Sequence, residues 1–520
     1  MSSAATARQQ SDDGPSQGWQ SEGGSSEEQL ESGERQVHRK SVVIVGTGFS
    51  GLGTAIRLKR EGIHDFVLLE KEHDLGGTWR DNTYPGCACD VPSLMYSFSF
   101  EQNPDWSRAF AEQGEISEYL QHCADKYDVR RHIHFGVEFT GARWDEQEQT
   151  WHVATADGTT YVGRALVSGI GALHLPSYPN LPGVQNFRGE VFHSARWNHD
   201  YDLRGKRVAV IGTGASAIQF VPKIAKQVSH LHLFQRSPPW IQPKPDRVIS
   251  KRVRRWFRRV PLLQRLARIA TYWTLEARSV AVIRSPKLVR LSEKLAKRYI
   301  RKEIKDPQLR KAVTPDYAMG CKRILLSSDY YPALNRSNVD LRTSGVSEVR
   351  ERSVVTGDGE EHPVDAIIYG TGFHVVDAFD HLRITGRDGR ELQDAWSEGM
   401  EAYLGITVSQ FPNLFFLLGP NTGLGHNSVV FMIESQINYV LSCLRPILRG
   451  DVGGFDVRQD VQDEFNREIQ SQLSGAVWSA GGCRSWYIDA NGVNRTVWPE
   501  FTGKYWWRTR KIDTSDYEVA

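Results

Sequence analysis

The pattern of apolar and polar positions predicts strands and helices that follow one another from about residue 39 onward. The run Ser41–Val45 is almost continuously apolar, as in a buried strand, and ends at the glycine-rich turn Gly46–Gly51. A helix-like stretch to about Arg60 follows, and a second apolar run, Phe66–Leu69, ends at Glu70. This order of strand, helix and strand predicts a βαβ unit of a parallel sheet.

The same order of elements recurs further along the chain. Arg207–Ile211 leads into a second glycine-rich turn, Gly212–Ala217, and a helix-like stretch separates this turn from Leu231–Phe234. Gln235 and Arg236 close that last run, and the first glycine lies 24 positions before the closing residue in both units. The repeat predicts an α/β fold with two nucleotide-binding units.

Both turns have the spacing Gly-x-Gly-x-x-small, which gains weight because each lies between a buried strand and a helix. The first glycine permits the tight turn, the second lets the backbone approach a pyrophosphate, and the third small residue lets the helix pack closely. The helix N-terminus adds N–H donors for the phosphates. The predicted contacts are Gly46, Gly48 and Gly51 in the first unit and Gly212, Thr213, Gly214, Ser216 and Ala217 in the second.

The residue that closes each second strand distinguishes the two ligands. Glu70 can accept hydrogen bonds from ribose hydroxyls, which suits FAD or NAD. Arg236 suits the 2′-phosphate of NADP, because a guanidinium binds phosphate through charge-assisted bonds, although an ordinary exposed arginine is the alternative. These residues predict a flavoprotein reduced by NADPH.

The amino-acid composition limits the partners and the cellular location that we expect for the protein. The 64 Lys and Arg residues nearly balance the 62 Asp and Glu residues, which argues against a surface devoted throughout to nucleic acid or acidic lipid. The six cysteines form no CxxC pair and no zinc-like cluster, so we expect reduced thiols and no metal. No apolar run approaches the ~18 residues of a membrane span, and no signal-peptide core is present. We therefore expect a cytoplasmic protein.

Two segments differ from the rest of the chain in composition and charge. Of the first 36 residues, 26 are Ser, Gly, Gln, Glu or Asp, which predicts a disordered tail. Residues 247–311 carry 21 Lys and Arg but four acidic residues, a net charge of +17, so the rest of the chain carries −15. This basic segment looks helical and amphipathic. A solvated helix face and docking on an anionic membrane surface both remain open, whereas nucleic-acid binding is disfavoured because no recognition motif accompanies the charge.

A further motif lies between the two turns, where Phe187–Trp197 fits F-x-G-x-x-x-H-x-x-x-W. With this motif the chain resembles the class B flavoprotein monooxygenases, specifically the type I Baeyer–Villiger monooxygenases; the related N- and S-oxygenating enzymes usually have Tyr or Phe in place of Trp197. Asn198 departs from the family, in which Pro or Asp is more common. Disulfide reductases are disfavoured because Cys87 and Cys89 are spaced too closely. Other blocks similar to the family are Leu75–Trp79, Tyr84–Gly86, Cys89–Ser93, Tyr96–Phe100, Gly320–Arg323, Gly370–Phe373 and Leu417–Asn421.

The resemblance implies two Rossmann-like dinucleotide-binding domains, one for FAD and one for NADP, both discontinuous, with a helical insertion. The implied parts are a tail (1–38), the FAD-binding domain (39–170 and 375–520), the NADP-binding domain (176–246 and 316–374) and a basic helical insertion (247–315).

The resemblance also implies an activity. In the family, NADPH reduces FAD, the reduced flavin captures O₂, and the C4a-peroxyflavin attacks a ketone, which becomes an ester or lactone. Arg323 falls at the family position that stabilises the developing negative charge, and Asp90 at the position that holds this arginine; composition alone would equally allow an ordinary buried ion pair. Lys322 is implied to bind the NADP 2′-phosphate together with Arg236 and Ser237.

The remaining implied site residues surround the two cofactors. His193 is expected to be structural, and Trp486 is expected on a loop that closes over NADP. The expected FAD contacts are Ser50, Gly77, Thr78, Trp79, Asp90, Tyr96, Val137 and Asn421. The alternatives are an N- or S-oxygenating flavin monooxygenase and a non-catalytic flavoprotein that senses NADPH or binds membranes. Neither the particular ketone nor the oligomeric state can be read from the sequence.

Overall fold

The computed structural model describes residues 36–284, 286–483 and 485–519, without the side chains of residues 279–287. The predicted tail, residues 1–38, lies almost entirely outside the described residues. The first strand begins at Val37, two residues before the predicted start of the fold at Arg39.

In each of the two glycine-rich units a helix separates two strands, as the apolar pattern predicts, and most strands of the chain are short. In chain order they are β1 Val37–Val45, β2 Phe66–Glu70, β3 Ile133–Phe135, β4 Phe139–Asp145, β5 Thr150–Thr155, β6 Thr160–Ser168, β7 Glu190–His193, β8 Arg207–Ile211, β9 His230–Phe234, β10 Ile241–Gln242, β11 Leu325–Leu326, β12 Val339–Arg342, β13 Val346–Arg350, β14 Ser353–Thr356, β15 Glu361–Pro363, β16 Ala366–Tyr369, β17 Arg383–Thr385, β18 Leu414–Phe416, β19 Phe455–Val457 and β20 Tyr517–Val519.

The helices include the one that follows each glycine-rich turn and a cluster within the basic segment. They are α1 Phe49–Arg60, α2 Thr78–Asp81, α3 Gln113–Lys126, α4 Ala217–Ile224, α5 Lys251–Arg259, α6 Pro261–Arg284, α7 Pro286–Glu303, α8 Pro307–Ala312, α9 Tyr330–Leu334, α10 Leu392–Ala395, α11 Val429–Arg449, α12 Gln459–Ser474, α13 Val477–Ala480 and α14 Thr502–Arg508.

The first sheet is built around the first glycine-rich unit. Its strand order is β17-β4-β5-β6-β1-β2-β3, and β18 also pairs with β6. The strands β6, β1, β2 and β3 run parallel, in the manner of a dinucleotide-binding sheet. Since β17 and β18 follow the second unit in the sequence, this sheet is assembled from two separate parts of the chain.

The second sheet is fully parallel and has the order β12-β9-β8-β16-β7. The strands β12 and β16 come after the basic helices α5 to α8, so this sheet is discontinuous as well. A small antiparallel sheet, β13-β14-β15, separates β12 from β16 in the sequence.

The core lies between the sheets and their helices, and it explains why continuous apolar runs form the central strands. Val42 and Ile44 of β1, together with Val208 and Val210 of β8, are fully buried. A parallel strand covered by helices on both faces needs apolar side chains at consecutive positions. Among the described residues, no helix is both long enough and apolar enough to cross a membrane.

Candidate active site

The first glycine-rich turn connects β1 to α1 with very little space around its backbone. Gly46 has φ +91°, and a Cβ atom there would lie 2.7 Å from the Gly169 carbonyl oxygen. A Cβ at Gly51 would lie 1.9 Å from the Gly46 carbonyl oxygen, so only glycine fits. The helix begins after Gly48 without a side-chain cap, which leaves its N-terminal N–H groups for an anionic ligand.

Glu70 lies at the end of β2 beside this turn, as predicted. Its buried carboxylate accepts hydrogen bonds from the backbone N–H of Thr47 at 3.2 Å and from the Thr47 hydroxyl at 2.5 Å. Arg80, which the sequence analysis missed, approaches the same carboxylate to 2.9 Å. The arginine offsets a charge that would otherwise be costly to bury.

The turn before α2 faces the first glycine-rich turn. A Cβ atom at Gly77 would lie 3.3 Å from the Cα atom of Gly48, so the two backbones approach closely. Trp79 is buried, and its indole N–H donates a hydrogen bond to the Tyr96 hydroxyl at 3.1 Å. Together these turns form one wall of the predicted FAD site. Of the remaining expected contacts, Ser50 lies in α1 and Thr78 in α2. The backbone N–H of Val137 donates a hydrogen bond to the carbonyl oxygen of Glu70 at the end of β2.

The second glycine-rich turn repeats this geometry between β8 and α4. Gly212 has φ +107°, and a Cβ atom there would lie 2.3 Å from the Gly370 carbonyl oxygen. Ala217 is fully buried, and Ser216 precedes α4 without a side-chain cap. Thr213 is buried, and the Gly214 carbonyl oxygen accepts a hydrogen bond from the backbone N–H of Ile218 in the first turn of α4.

Positive charge gathers beyond the end of β9, near this second turn. The Lys322 ammonium donates a hydrogen bond to the Ser237 hydroxyl at 2.6 Å. Burial lowers the pKa of Lys322, and the neighbouring Arg236 guanidinium lowers it further, although Asp316 opposes this effect. Two cations and a hydroxyl group at one place fit a phosphate group. The structure thus brings Arg236, Ser237 and Lys322 together.

Arg323 and Asp90 form a bidentate ion pair. The Arg323 Nε and Nη2 atoms donate to the two Asp90 oxygens at 2.7 and 2.8 Å. Both side chains are 28% exposed. The carboxylate raises the pKa of Arg323; burial alone would raise the pKa of Asp90, but the guanidinium outweighs this and holds it below its usual range. Lys322 lies in a bend, and Arg323 lies in the irregular segment that connects this bend to β11.

The loop before α11 carries the next contact of this pair. Arg323 Nη1 donates to the Leu424 carbonyl oxygen at 3.1 Å. Earlier in the loop, Asn421 has φ +55° and donates through its amide to the Asn494 carbonyl oxygen at 2.8 Å. The Asn421 Oδ1 atom is buried and has no hydrogen-bond partner among the described residues. This free acceptor suits the predicted cofactor contact, because a buried acceptor is expected to have a donor.

A buried polar network that the sequence analysis did not find lies behind this loop. Glu276 of α6 accepts a hydrogen bond from the Asn427 amide at 2.7 Å and another from the Thr502 hydroxyl. His426 lies 3.8 Å from the same carboxylate, with 5% of its side chain exposed. The network therefore joins the basic segment to the loop and to α14. Neighbouring positions in the sequence give no signal of it, since Glu276 is 151 positions from Asn427.

The structure corrects the expectation that all six thiols are reduced. Cys321 and Cys483 form a disulfide across 162 positions, whereas Cys87, Cys89, Cys123 and Cys443 are free and buried. The bond links the segment that holds Lys322 and Arg323 to the segment that leads to Trp486. The spacing of cysteines along the sequence could not reveal this pairing, because a CxxC motif indicates only a disulfide between neighbouring positions.

The last predicted residues differ in their exposure. Trp486 is 45% exposed, whereas its neighbour Tyr487 is 2% exposed. The Tyr487 hydroxyl is buried without a hydrogen-bond partner among the described residues, and burial raises its pKa to about 12. His193 is fully buried at the end of β7 and accepts a hydrogen bond from the backbone N–H of Ala195 at 3.1 Å.

Comparison with known proteins decides the family. A family model described as flavin-binding monooxygenase-like matches residues 39–383. A Baeyer–Villiger monooxygenase of Pseudomonas aeruginosa is 53% identical over 480 residues, which cover 92% of this chain and 91% of that protein. The chain belongs to the flavin-binding Baeyer–Villiger monooxygenases. A second relative of the same name, from Streptomyces coelicolor, is 49% identical and covers 93% of both chains.

Solved structures of other monooxygenases share the fold of this monooxygenase. A steroid monooxygenase bound to NADP matches with a TM-score of 0.83 and 29% identity, covering 92% of this chain and 99% of that one. Cyclohexanone monooxygenase from Rhodococcus, also bound to NADP⁺, matches with a TM-score of 0.83 and 27% identity, covering 93% and 99%. The predicted α/β fold, with two discontinuous Rossmann-like domains and a helical insertion, is confirmed. So are the predicted enzyme class and its cofactors, FAD and NADPH.

Proposed function

We propose that this monooxygenase inserts one oxygen atom from O₂ next to a ketone carbonyl, with Arg323 stabilising the negative charge that develops on the reacting oxygen atoms. The ion pair with Asp90 carries this proposal. Three of the five guanidinium N–H donors bond to Asp90 and to the Leu424 carbonyl oxygen, which fixes the plane of the group. The two remaining donors are directed by that plane and are available to an oxyanion.

Asp90 acts as a positioning residue in this proposal. Its two oxygens bond to two nitrogen atoms of Arg323, so the guanidinium cannot rotate without losing both bonds. Because its pKa is held low, Asp90 stays ionised at neutral pH and keeps Arg323 in place. Arginine suits the reaction because it stays protonated throughout.

The two glycine-rich turns fit the two cofactors. FAD would be held by the first turn, Glu70, the Gly77 turn, the Trp79–Tyr96 pair and Asn421, and NADPH by the second turn and the cluster of Arg236, Ser237 and Lys322. Uncapped helix N-termini and glycines with no room for a side chain support both assignments. When bound, the flavin supplies the redox chemistry with O₂, and the protein supplies orientation and charge stabilisation.

The experiment that tests this function supplies the purified chain with NADPH and a panel of cyclic, linear and aromatic ketones. Mass spectrometry is expected to detect a product that has gained one oxygen atom. A steroid monooxygenase and a cyclohexanone monooxygenase with bound ε-caprolactone are among the structural neighbours, so cyclic ketones form the first arm of the panel. Bound flavin without any ketone-stimulated oxidation of NADPH would favour the alternative of a non-catalytic, NADPH-sensing flavoprotein.

A second proposal concerns the basic segment, residues 247–311, which we assign to weak docking on an anionic membrane surface. Leu262, Leu266, Ile269 and Trp273 of α6 follow one another at helical spacing, and each is more than half exposed. On α5, Trp256 is 59% exposed among arginines. An apolar stripe bordered by positive charge matches an anionic lipid surface.

Vesicle co-sedimentation tests this docking. The chain is expected to bind anionic vesicles at low salt, to release from them at high salt, and to ignore neutral vesicles. Leu266→Ser with Trp273→Ser should weaken binding to the anionic vesicles. Equal sedimentation with anionic and neutral vesicles would refute docking and support a solvated helix face.

The division into the domains 39–170 with 375–520 and 176–246 with 316–374 also stays a proposal, supported by the strand order of the two sheets.

A further inference from the structure

Three metal-ligating side chains lie on one face of the second sheet, at its β12 edge. His232 of β9 is paired in register with Asp340 of β12. His230 lies two residues before His232 on the same strand, so its side chain is on the same face. Leu231 and Val339 are buried on the opposite face. The parallel pairing of β9 and β12 thus brings two imidazoles and a carboxylate together.

The distances suit a small ion. One ligand atom from each of His230, His232 and Asp340 can be chosen so that all three lie within 4.8 Å of one another. The His230 Nε2 atom is 2.9 Å from an Asp340 oxygen, and the two imidazole rings are 4.4 Å apart at their centroids. Zinc binds nitrogen and oxygen at about 2.0–2.2 Å, so its ligand atoms lie within roughly 4.4 Å of one another. Small side-chain rotations would complete such a site.

A second observation, independent of the spacing, is that two buried imidazole nitrogens in this cluster have no hydrogen bond to any described residue. His232 is 8% exposed, and its Nδ1 atom has no hydrogen bond among the described residues. His362 of β15 is 6% exposed, its ring lies 4.9 Å from that of His232, and its Nε2 atom also has no hydrogen bond. The Glu360 carboxylate is 3.8 Å from this atom. Buried polar atoms without partners are rare, and a bound ion would satisfy them.

Arg342 is the positive charge that would compete with an ion. Its Nη2 atom lies 3.5 Å from Asp340, but its Nη1 atom lies 3.1 Å from Glu360. The closer partner is therefore Glu360, and Asp340 can turn to an ion while Arg342 keeps its ion pair with Glu360. His230 and Asp340 are both partly exposed, which leaves an entry path from solvent.

We propose that His230, His232 and Asp340 form a binding site for a divalent transition-metal ion of the zinc type, with His362 as a further nitrogen ligand within reach. Two or three imidazoles and one carboxylate are a ligand set that zinc and its neighbours accept. This proposal departs from the sequence-based expectation of no metal. The site lies on β9, the strand that runs into Arg236, so an ion would stabilise the sheet edge that carries the predicted NADP contacts.

Isothermal titration of the untagged, FAD-loaded chain with ZnCl₂, after removal of metals by a chelator, tests the proposal. We expect one Zn²⁺ per chain, a higher melting temperature with zinc, and X-ray absorption that shows two or three imidazole ligands. His232→Gln with Asp340→Asn should weaken zinc binding at least tenfold. Asp340→Asn alone, at a partly exposed position, covers the case in which the double variant fails to retain FAD.

The matched control is another His and Asp pair on a strand. His152 lies 4.0 Å from Asp145 in the first sheet, and within the described part of the chain this pair belongs to no group of three potential metal ligands. His152→Gln with Asp145→Asn should leave zinc binding unchanged. The proposal is overturned if no zinc binds, if binding survives unchanged in the His232 and Asp340 variants, or if X-ray absorption shows sulfur ligands, which would place the ion at the cysteines.

Discussion

Replacing Arg323 by alanine separates the structural from the chemical role of the ion pair with Asp90. The change removes hydrogen bonds of 2.7 and 2.8 Å and leaves a carboxylate whose side chain is only 28% exposed. Removing one partner of such a pair typically costs about 3–5 kcal/mol of stability when the other charge is buried, and we expect the lower end here because of the partial exposure. Losing the donor to the oxyanion should slow oxygen insertion by ~10²–10³-fold.

The two effects can be told apart with a second variant. Asp90→Asn in the Arg323→Ala background removes the unpaired charge, so it should recover most of the stability measured by urea unfolding. It should not recover ester formation measured by mass spectrometry. In the Arg323→Ala variant, FAD absorbance and the anaerobic rate of flavin reduction by NADPH should stay close to those of the unmodified chain. Ester formation at the original rate in either variant would refute the role assigned to Arg323.

Three further predictions address the cofactor site, the disulfide and the pH dependence of stability. Arg236→Ala with Lys322→Ala should raise the KM for NADPH at least tenfold and that for NADH less than threefold in steady-state assays; equal changes would contradict the phosphate role. Non-reducing peptide mapping should recover Cys321 linked to Cys483, and Cys483→Ser should lower the melting temperature, by an amount that corresponds to about 2–4 kcal/mol; an unlinked pair would contradict the structure. Burial lowers the pKa of His193 to about 4, so the folded chain binds this proton less readily than the unfolded chain, and up to ~3 kcal/mol of stability should be lost as the pH falls from 6.5 towards 4. His193→Asn should flatten this pH dependence of urea unfolding, and an unchanged slope would contradict it.

The parts of the fold that depend on local order were predictable from the sequence. Gly46 and Gly212 occupy backbone conformations that favour glycine, and each lies between an apolar strand and a helix, so both the residue type and its neighbours indicate the turn. Glu70 and Arg236 follow the second strands at a fixed offset, which places them near those turns. The bounds of β2, β8 and β9 were predicted to within one residue because buried parallel strands are continuously apolar, whereas β1 begins at Val37, four residues before the predicted Ser41.

The contacts between distant segments were not predictable in this way. Arg323 and Asp90 are 233 positions apart, and they were paired only through the family resemblance. The Cys321–Cys483 bond, the Arg80–Glu70 ion pair and the network around Glu276 all depend on how separate elements pack. Charge and apolar patterns along one segment carry no information about which other segment meets it.

Oxygen insertion itself is tested most directly with isotopic oxygen. The purified chain is incubated with NADPH and the ketone panel under ¹⁸O₂ in unlabelled water, and the masses of the products are measured by mass spectrometry. The account predicts an ester or lactone that carries one ¹⁸O atom per molecule, formed at a much lower rate by the Arg323→Ala variant. Products that carry oxygen from water, or NADPH oxidation that yields no oxygenated ketone with any member of the panel, would contradict it.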